Sequence, residues 1–388
     1  MSKEERRVPE LRFKGFFEDW EQRKLKKILK VNSGRDYKHL SNGDVPVYGT
    51  GGYMLSVNDN LSNKDGVGIG RKGTINKPQF LRAPFWTVDT LFYLTSLPNN
   101  NLLFIYYLAE NTNWKKYDES TGVPSLSKKT IESIVKYIPD NNEQIALGTL
   151  LNEVDQYISL HLRKINILKN LKQQYLRVMF VENEKNTPEI RFKSFNDVWE
   201  QRKLGEVGET FSGLSGKKKA DFGHGEARFV TYSNIFGNAI SDPNNLDIIE
   251  IDNKQNQVQY GDVFFTTSSE TPKEVGMSSV WLEDTNNVYL NSFCFGYRPI
   301  ITFDPYYLAF MLRSPSIRKK LIFLAQGISR YNISKKKVME IGIPTPSTKE
   351  QQKIGSFFKE LDDTIELHYS KLEKLNKIKQ VYLNKMFI

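Results

Sequence analysis

The segment PELRFKGFFEDWEQRKL, Pro9–Leu25, recurs as PEIRFKSFNDVWEQRKL at Pro188–Leu204, with 12 of 17 positions identical at a constant offset of 179. A second match pairs Glu143–Phe180 with Glu350–Phe387 at an offset of 207. It has 16 of 38 positions identical, among them Gly148/Gly355, Asp155/Asp362, His161/His368 and Tyr175/Tyr382. Matches in the same order mean that one structural unit occurs twice, which sets the architecture before any secondary structure is assigned. The length of 388 residues agrees, since it exceeds what one domain usually uses. Between the matched borders lie 117 residues in the first copy (Lys26–Asn142) and 145 in the second (Gly205–Lys349), without comparable similarity. The frame is duplicated in sequence and the filling is not. A polar stretch, Val181–Thr187, joins the copies.

Within the second match, apolar residues recur at alternating steps of three and four: Leu151, Val154, Ile158, His161, Ile165, Leu168, Lys172, Tyr175 and Met179. The other copy gives Phe358, Leu361, Ile365, His368, Leu372, Leu375, Lys379, Tyr382 and Met386. This spacing predicts two long helices with an a/d seam. Helices of this size are marginal alone, so each seam needs a partner, and the nearest is the other copy. Glu143–Leu160 holds three acids and no base, whereas His161–Phe180 holds five bases and no acid; the second helix repeats the trend. Antiparallel pairing sets acidic halves against basic halves, so an intramolecular antiparallel coiled coil is expected, with Asp155 and Lys371 as a cross-linking pair. His161 and His368 read as register-setting polar seam residues, and Lys172 and Lys379 as snorkelling lysines.

Just upstream, LSKKTIESIVKYIP and ISKKKVMEIGIPTP share Ser-Lys-Lys and a proline, Pro139/Pro346, which predicts a last strand leading into each helix. The expected organisation is α+β: a β-rich domain over 1–142, a spacer helix over 143–182, a second β-rich domain over 183–349 and a second helix over 350–388.

Bulk properties exclude several classes. No apolar run approaches the 18 or so residues that span a bilayer, and MSKEERR is not followed by a signal-like apolar stretch, so a cytoplasmic protein is expected. One cysteine, Cys294, and four histidines offer neither a disulfide nor a zinc-type spacing. The net charge of +10 is consistent with a polyanionic partner.

Catalytic motifs are weak. GIGRKG, Gly68–Gly73, matches G-x-G-x-x-G, but Pro78 argues against a following helix; a glycine turn between strands, presenting Arg71 and Lys72, fits better. FSGLSG, Phe211–Gly216, and FDPYY, Phe303–Tyr307, faintly resemble the two signature elements of amino-methyltransferases. The second lacks its middle proline, and the chain lacks the required alternation of strands and helices. No P-loop, H-E-x-x-H helix or nucleophile elbow occurs, so no catalytic or metal residue is assigned.

The fillings carry glycine-punctuated β stretches with aromatic, small polar and basic residues on their loops. In the first these are Arg35, Tyr37, Lys38, Thr50, Tyr53, Arg71 and Lys72. In the second they are Lys217, Lys218, Lys219, Tyr232, Ser233, Asn234, Thr266, Ser268, Arg330 and Tyr331. Such groups suit duplex DNA, positioned through phosphates and read through base edges, although several aromatics are expected in the core.

Taken together, the twice-repeated PE-x-RF-x-x-F…WEQRKL segment, the Ser-Lys-Lys…Pro…Glu-Gln approach and the helices ending in Met-Phe resemble the specificity subunit of a type I restriction-modification system. The resemblance covers nearly the whole chain. It implies two target-recognition domains, each reading half of a split, asymmetric DNA sequence, in a bacterial cytoplasmic subunit without activity of its own. Implied partners are two modification subunits that methylate adenine N6 and two restriction subunits; S-adenosylmethionine, ATP and Mg2+ would act on those partners and none on this chain. The alternative from another class is a coiled-coil protein-interaction scaffold.

From Leu151 to Met179 a helix spans about 42 Å at about 1.5 Å per residue, comparable to one duplex turn. If the helices set the spacing of the half-sites, inserting four residues near Ile165 will lengthen the preferred unread spacer; an unchanged spacer in the mapped target sequence refutes that role.

Overall fold

The repeated WEQRKL sequence becomes the same short strand in both copies, and each strand pairs with the segment that leads into a long helix. The computed structural model describes residues 7–181 and 185–388. The start of the N-terminal tail and part of the Val181–Thr187 link lie outside that range. The chain divides into two units, one made of the chain up to Arg163 together with Tyr369–Ile388, the other of Lys164–His368.

In the first unit β1 (Glu21–Lys24), β2 (Leu29–Ser33), β3 (Asn42–Gly49), β4 (Gly52–Val57), β5 (Gly66–Gly70), β6 (Gln79–Leu81), β7 (Trp86–Thr87) and β8 (Leu91–Ser96) precede α1 (Leu102–Glu110) and α2 (Lys128–Ser133). Then come β9 (Val135–Ile138) and the start of α3 (Asn141–Val178). The sheet order is β2-β8-β5-β6, with a second sheet β4-β3-β7 and the ladder β1-β9. In the second unit β10 (Glu200–Lys203), α4 (Leu204–Val207), β11 (Gly208–Ser212), β12 (Phe222–Val230), α5 (Tyr232–Gly237), β13 (Leu246–Ile249), β14 (Val263–Thr266) and β15 (Ser268–Ser269) come first. They are followed by β16 (Ser278–Val280), β17 (Val288–Leu290), β18 (Cys294–Pro299), α6 (Pro305–Leu312), α7 (Pro315–Phe323), β19 (Tyr331–Asn332), α8 (Lys335–Met339), β20 (Gly342–Thr345) and α9 (Thr348–Lys385). Its sheets run β11-β18-β14-β16 and β13-β12-β17, with ladders β10-β20 and β15-β19.

Apart from the β15-β19 ladder, where the first unit has only an isolated bridge between Lys72 and Ser125, these orders correspond strand for strand. In each three-stranded sheet the central strand, β3 or β12, pairs antiparallel with the strand that follows it and parallel with a later one. The two fillings that share no comparable sequence therefore share a topology. Apolar periodicity and turn placement specify a fold without fixing residue identity, which is why a residue-by-residue match missed this second duplication. GIGRKG is indeed the end of a strand: β5 pairs antiparallel with β6, and Arg71 and Lys72 follow it in a turn.

The long helices keep the expected seam. Leu151, Val154, Ile165, Met179, Phe358, Ile365, His368 and Met386 are buried, and the other seam positions are half-buried. In the first unit the early part of α3 runs antiparallel to the late part of α9: Leu147 and Leu151 share a core with Leu383 and Met386, and Asp155 meets Lys379 at 2.8 Å. The second unit repeats this with Tyr175 against Phe357 at 5.0 Å between ring centroids and Lys172 on Asp362 at 2.6 Å. Two details differ from the sequence reading. The partner of Asp155 is Lys379, two turns beyond Lys371. Neither Lys172 nor Lys379 snorkels, since their side chains are only 19% and 13% exposed. Burial disfavours the Lys379 ammonium, but Asp155 and Glu110 outweigh it and hold its pKa above the usual lysine value.

What fixes each helix to its domain is a buried carboxylate at its first turn. Glu143 receives a two-pronged guanidinium from Arg12 at 2.7 and 2.8 Å and the indole N–H of Trp20 at 3.1 Å. Glu350 receives Arg191 at 2.6 and 2.7 Å and Trp199 at 3.0 Å. The next residue ties two earlier parts of the chain together: Gln144 accepts from the Asn101 backbone N–H and donates to the Pro139 carbonyl, as Gln351 does with Asp304 and Pro346. One turn later the chain needs glycine, because a Cβ on Gly148 would lie 2.8 Å from Asn101 Oδ1 and one on Gly355 would lie 2.2 Å from Asp304 Oδ1. Asn101 and Asp304 are the N-caps of α1 and α6. FDPYY is thus a helix cap and docking point. The Met-Phe endings close both cores, with Phe387 stacked on Phe104 and Phe180 on Phe358.

Glu143→Ala leaves the Arg12 guanidinium without its counter-ion, with only the Glu18 carbonyl as acceptor, and the Trp20 indole N–H unpaired in the first unit. It is expected to destabilise that unit by about 3–5 kcal/mol, visible as an earlier denaturant midpoint; a shift under about 1 kcal/mol contradicts the role assigned to the pair.

Candidate nucleic-acid interface

In the first unit the ends of β2, β5 and β8 meet the approach to α2. The backbone N–H groups of Arg71 and Lys72 donate to the Thr90 carbonyl at 2.8 and 3.3 Å, and the Arg71 carbonyl accepts from Leu126 N–H at 2.9 Å. A groove of about 580 Å³ there is lined by Ser33, Arg71, Lys72, Asp89, Thr90, Glu119, Ser127 and Lys128, among others. A second, of about 400 Å³, adds Lys30, Asn32, Arg35, Asn60 and Tyr93 and shares Ser33 and Lys128 with the first. Five cations thus face two grooves with shared walls. The Arg71 guanidinium lies 5.7 Å over the Phe92 ring and donates to the Asp89 carbonyl at 3.3 Å, which limits its motion. Glu119 is held below the usual carboxylate range by the hydroxyls of Thr130 and Ser127, so it stays charged and tied to the frame.

The structure brings Arg35, Arg71 and Lys72 into these grooves, with Thr50 nearby: a Cβ on Gly73 would lie 3.9 Å from its hydroxyl. Tyr37 packs against the core of the β3 sheet. Lys38 is exposed, and Tyr53, 63% exposed, sits in the β3-β4 hairpin with its hydroxyl 3.2 Å from that of Ser56. Sequence reasoning missed Lys30, Asn32, Thr90, Tyr93 and Lys128. The Ser-Lys-Lys shared by both copies was the available signal for Lys128.

The equivalent corner of the second unit has the same backbone and different side chains. Thr267 N–H donates to the Phe293 carbonyl at 3.0 Å and its own carbonyl accepts from Ile333 N–H at 3.0 Å, so Thr267 and Ser268 stand where the first unit has Arg71 and Lys72. A cavity of about 430 Å³ opens there, lined by Tyr232, Phe236, Ser268, Ser269, Glu270, Glu274, Phe293 and Arg330. Tyr232 and Phe236 stack, and the Tyr232 hydroxyl donates to the Ser268 carbonyl at 2.7 Å. Of the expected residues, Tyr232, Ser268 and Arg330 line this cavity, and Tyr331 pairs with Ser269 in the ladder beside it. Lys217 is bound to Asp252 at 2.8 Å, while Lys218, Lys219 and Ser233 lie at or near the surface. Asn234 and Thr266 are fully buried and belong to the frame: Asn234 donates to the Asp242 and Asn245 carbonyls, and Thr266 Oγ1 accepts from Met277 N–H. Small polar residues at strand and helix ends read alike in sequence whether they brace a turn or face a ligand.

Among the described residues no cluster of three or more His, Cys, Asp or Glu side chains could hold a metal, and no helix is long and apolar enough to cross a membrane. Burial pushes the Cys294 thiol up to about 12, which leaves it a poor nucleophile.

Two like domains with differently furnished strand-end grooves define a duplicated binding protein. Residues 17–170 and 196–377 each match the family described as the type I restriction modification DNA specificity domain. The chain belongs to that family. It is 22% identical over 350 residues to the type I restriction enzyme MjaVIII specificity subunit of Methanocaldococcus jannaschii, covering 83% of this chain and 75% of that one. Its fold is similar to the crystal structure of a type I restriction-modification S subunit from M. genitalium, with a TM-score of 0.68 at 16% identity over 98% of this chain and 99% of the other. A chain from a solved type I R-M system aligns with a TM-score of 0.55 at 15% identity over 95% and 97%.

Proposed function

We propose that this chain is the sequence-reading subunit of a bacterial type I restriction-modification complex, with each unit reading one half of a bipartite, asymmetric DNA target. The observation that carries this reading is the pair of equivalent strand-end sites with unlike chemistry. One frame built twice, around five cations with two acids in one copy and around aromatics, two glutamates and one arginine in the other, suits two different half-sites. Identical half-sites would be served by identical readers.

In this reading the chain is not itself an enzyme. Two modification subunits, using S-adenosylmethionine, would methylate adenine N6, and two restriction subunits would act with ATP and Mg2+, in the cytoplasm. Flipping of the target adenine falls to those partners. Exposed apolar residues on the long helices support docking of the modification subunits there: Tyr157, Leu160, Ile378 and Val381 in the first unit, and Ile167, Leu171 and Leu367 in the second.

The test is duplex binding by this chain assembled with its modification subunits, across a salt series. A steep fall in affinity with added salt is expected, and Arg71→Ala with Lys72→Ala is expected to flatten the slope of log K against log salt by about 0.9 for each phosphate that is no longer neutralised. A flat salt response of the unsubstituted complex overturns the proposal in favour of an interaction scaffold.

A further inference from the structure

The strand-end cavity of the second unit contains what a DNA-facing surface normally avoids, namely carboxylates. We infer that this cavity reads a cytosine·guanine base pair in the major groove, Glu274 accepting a hydrogen bond from the cytosine amino group and Arg330 donating to the guanine edge. The inference rests on the DNA-reading proposal above and assigns one base-pair reading within it.

Glu274 is held in place. Its Oε2 accepts from Ser269 Oγ at 3.2 Å and from Thr271 Oγ1 at 2.8 Å. A fixed carboxylate repels phosphate, so it weakens general affinity for a duplex. That cost is offset only where it meets a hydrogen-bond donor, and the major-groove edges offer two, the amino groups of cytosine and adenine. Arg330 decides between them. A guanidinium pairs with guanine O6 and N7 through two parallel bonds, whereas the thymine opposite an adenine presents one acceptor and a methyl group. One C·G pair satisfies both side chains at once.

The cavity also shows that the glutamates are not there to neutralise Arg330. Among the described residues no ion pair joins Arg330 to Glu270 or Glu274, and Arg330 is exposed. The stacked rings of Tyr232 and Phe236, 6.0 Å apart, form an apolar wall, and Phe293 is 62% exposed beside them. Apolar walls exclude water on docking and strengthen the charged hydrogen bonds they enclose. The first unit has Arg71 and Lys72 in place of Thr267 and Ser268 and other side chains lining its grooves, so this reading belongs to the second half-site alone.

The experiment maps the preferred target of the complex with modification subunits, using a duplex library, for the unsubstituted chain, Glu274→Gln and Arg330→Ala. The unsubstituted chain is expected to require a C·G pair at one position of one half-site. Glu274→Gln, whose amide can donate as well as accept, is expected to relax that position by roughly 10- to 100-fold in discrimination, and Arg330→Ala to relax the same position. The other half-site, read by the other unit, serves as the folding control and is expected to be unchanged. Should Glu274→Gln fail to fold, the exposed Arg330→Ala still decides the question. Duplex binding retained with an unaltered preference at every position overturns this inference and leaves the reading function standing. Loss of salt-sensitive binding in the unsubstituted complex overturns both.

Discussion

A glutamate side chain with 1% exposure, at the first turn of each long helix, is the contact on which the rest of each unit depends. Glu143 and Glu350 each hold an arginine from the leading segment and a tryptophan indole from the start of the WEQRKL strand. A buried carboxylate is costly unless all its partners arrive together, so the helix start, the leading segment and the strand must assemble as one. The adjoining Gln and Gly bring in the cap of the short helix behind the sheet. Domain, helix and leading segment are thereby fixed in one geometry, twice.

Rigid attachment matters for reading DNA because phosphate contacts set position while base contacts need a defined orientation. The frame supplies that orientation at the ends of β2, β5 and β8 and of β11, β14 and β18, where the backbone hydrogen bonds of Arg71 and Thr267 are equivalent. Side chains at those ends are then free to differ. In the first unit five cations outnumber Asp89 and Glu119, and in the second the balance is reversed, with Glu270 and Glu274 against the single Arg330. Conserving geometry while exchanging chemistry is how one fold can serve two half-sites.

Much of this was legible in the sequence. The seam from Leu151 to Met179 was readable because helix packing has a fixed period, and the Arg71 turn because glycine and proline punctuate strands. The role of Glu143 was hidden, since a carboxylate in a first turn is most often a solvated dipole partner. Lys172 and Lys379 read as snorkelling residues because their acidic partners lie 190 and 224 positions away along the chain. The shared topology of the fillings left no residue match, and the sorting of Asn234 and Thr266 into the frame depends on turn geometry that sequence spacing does not carry. Glu274 went unnoticed because acids are not sought when looking for DNA contacts.

The central claim is that one frame carries two unlike readers. Genome-wide mapping of modified adenines in cells containing this chain and its partner subunits tests it most directly. The expected result is a single target composed of two different short sequences separated by a fixed unread interval. A palindromic target, or one uninterrupted sequence, would contradict it.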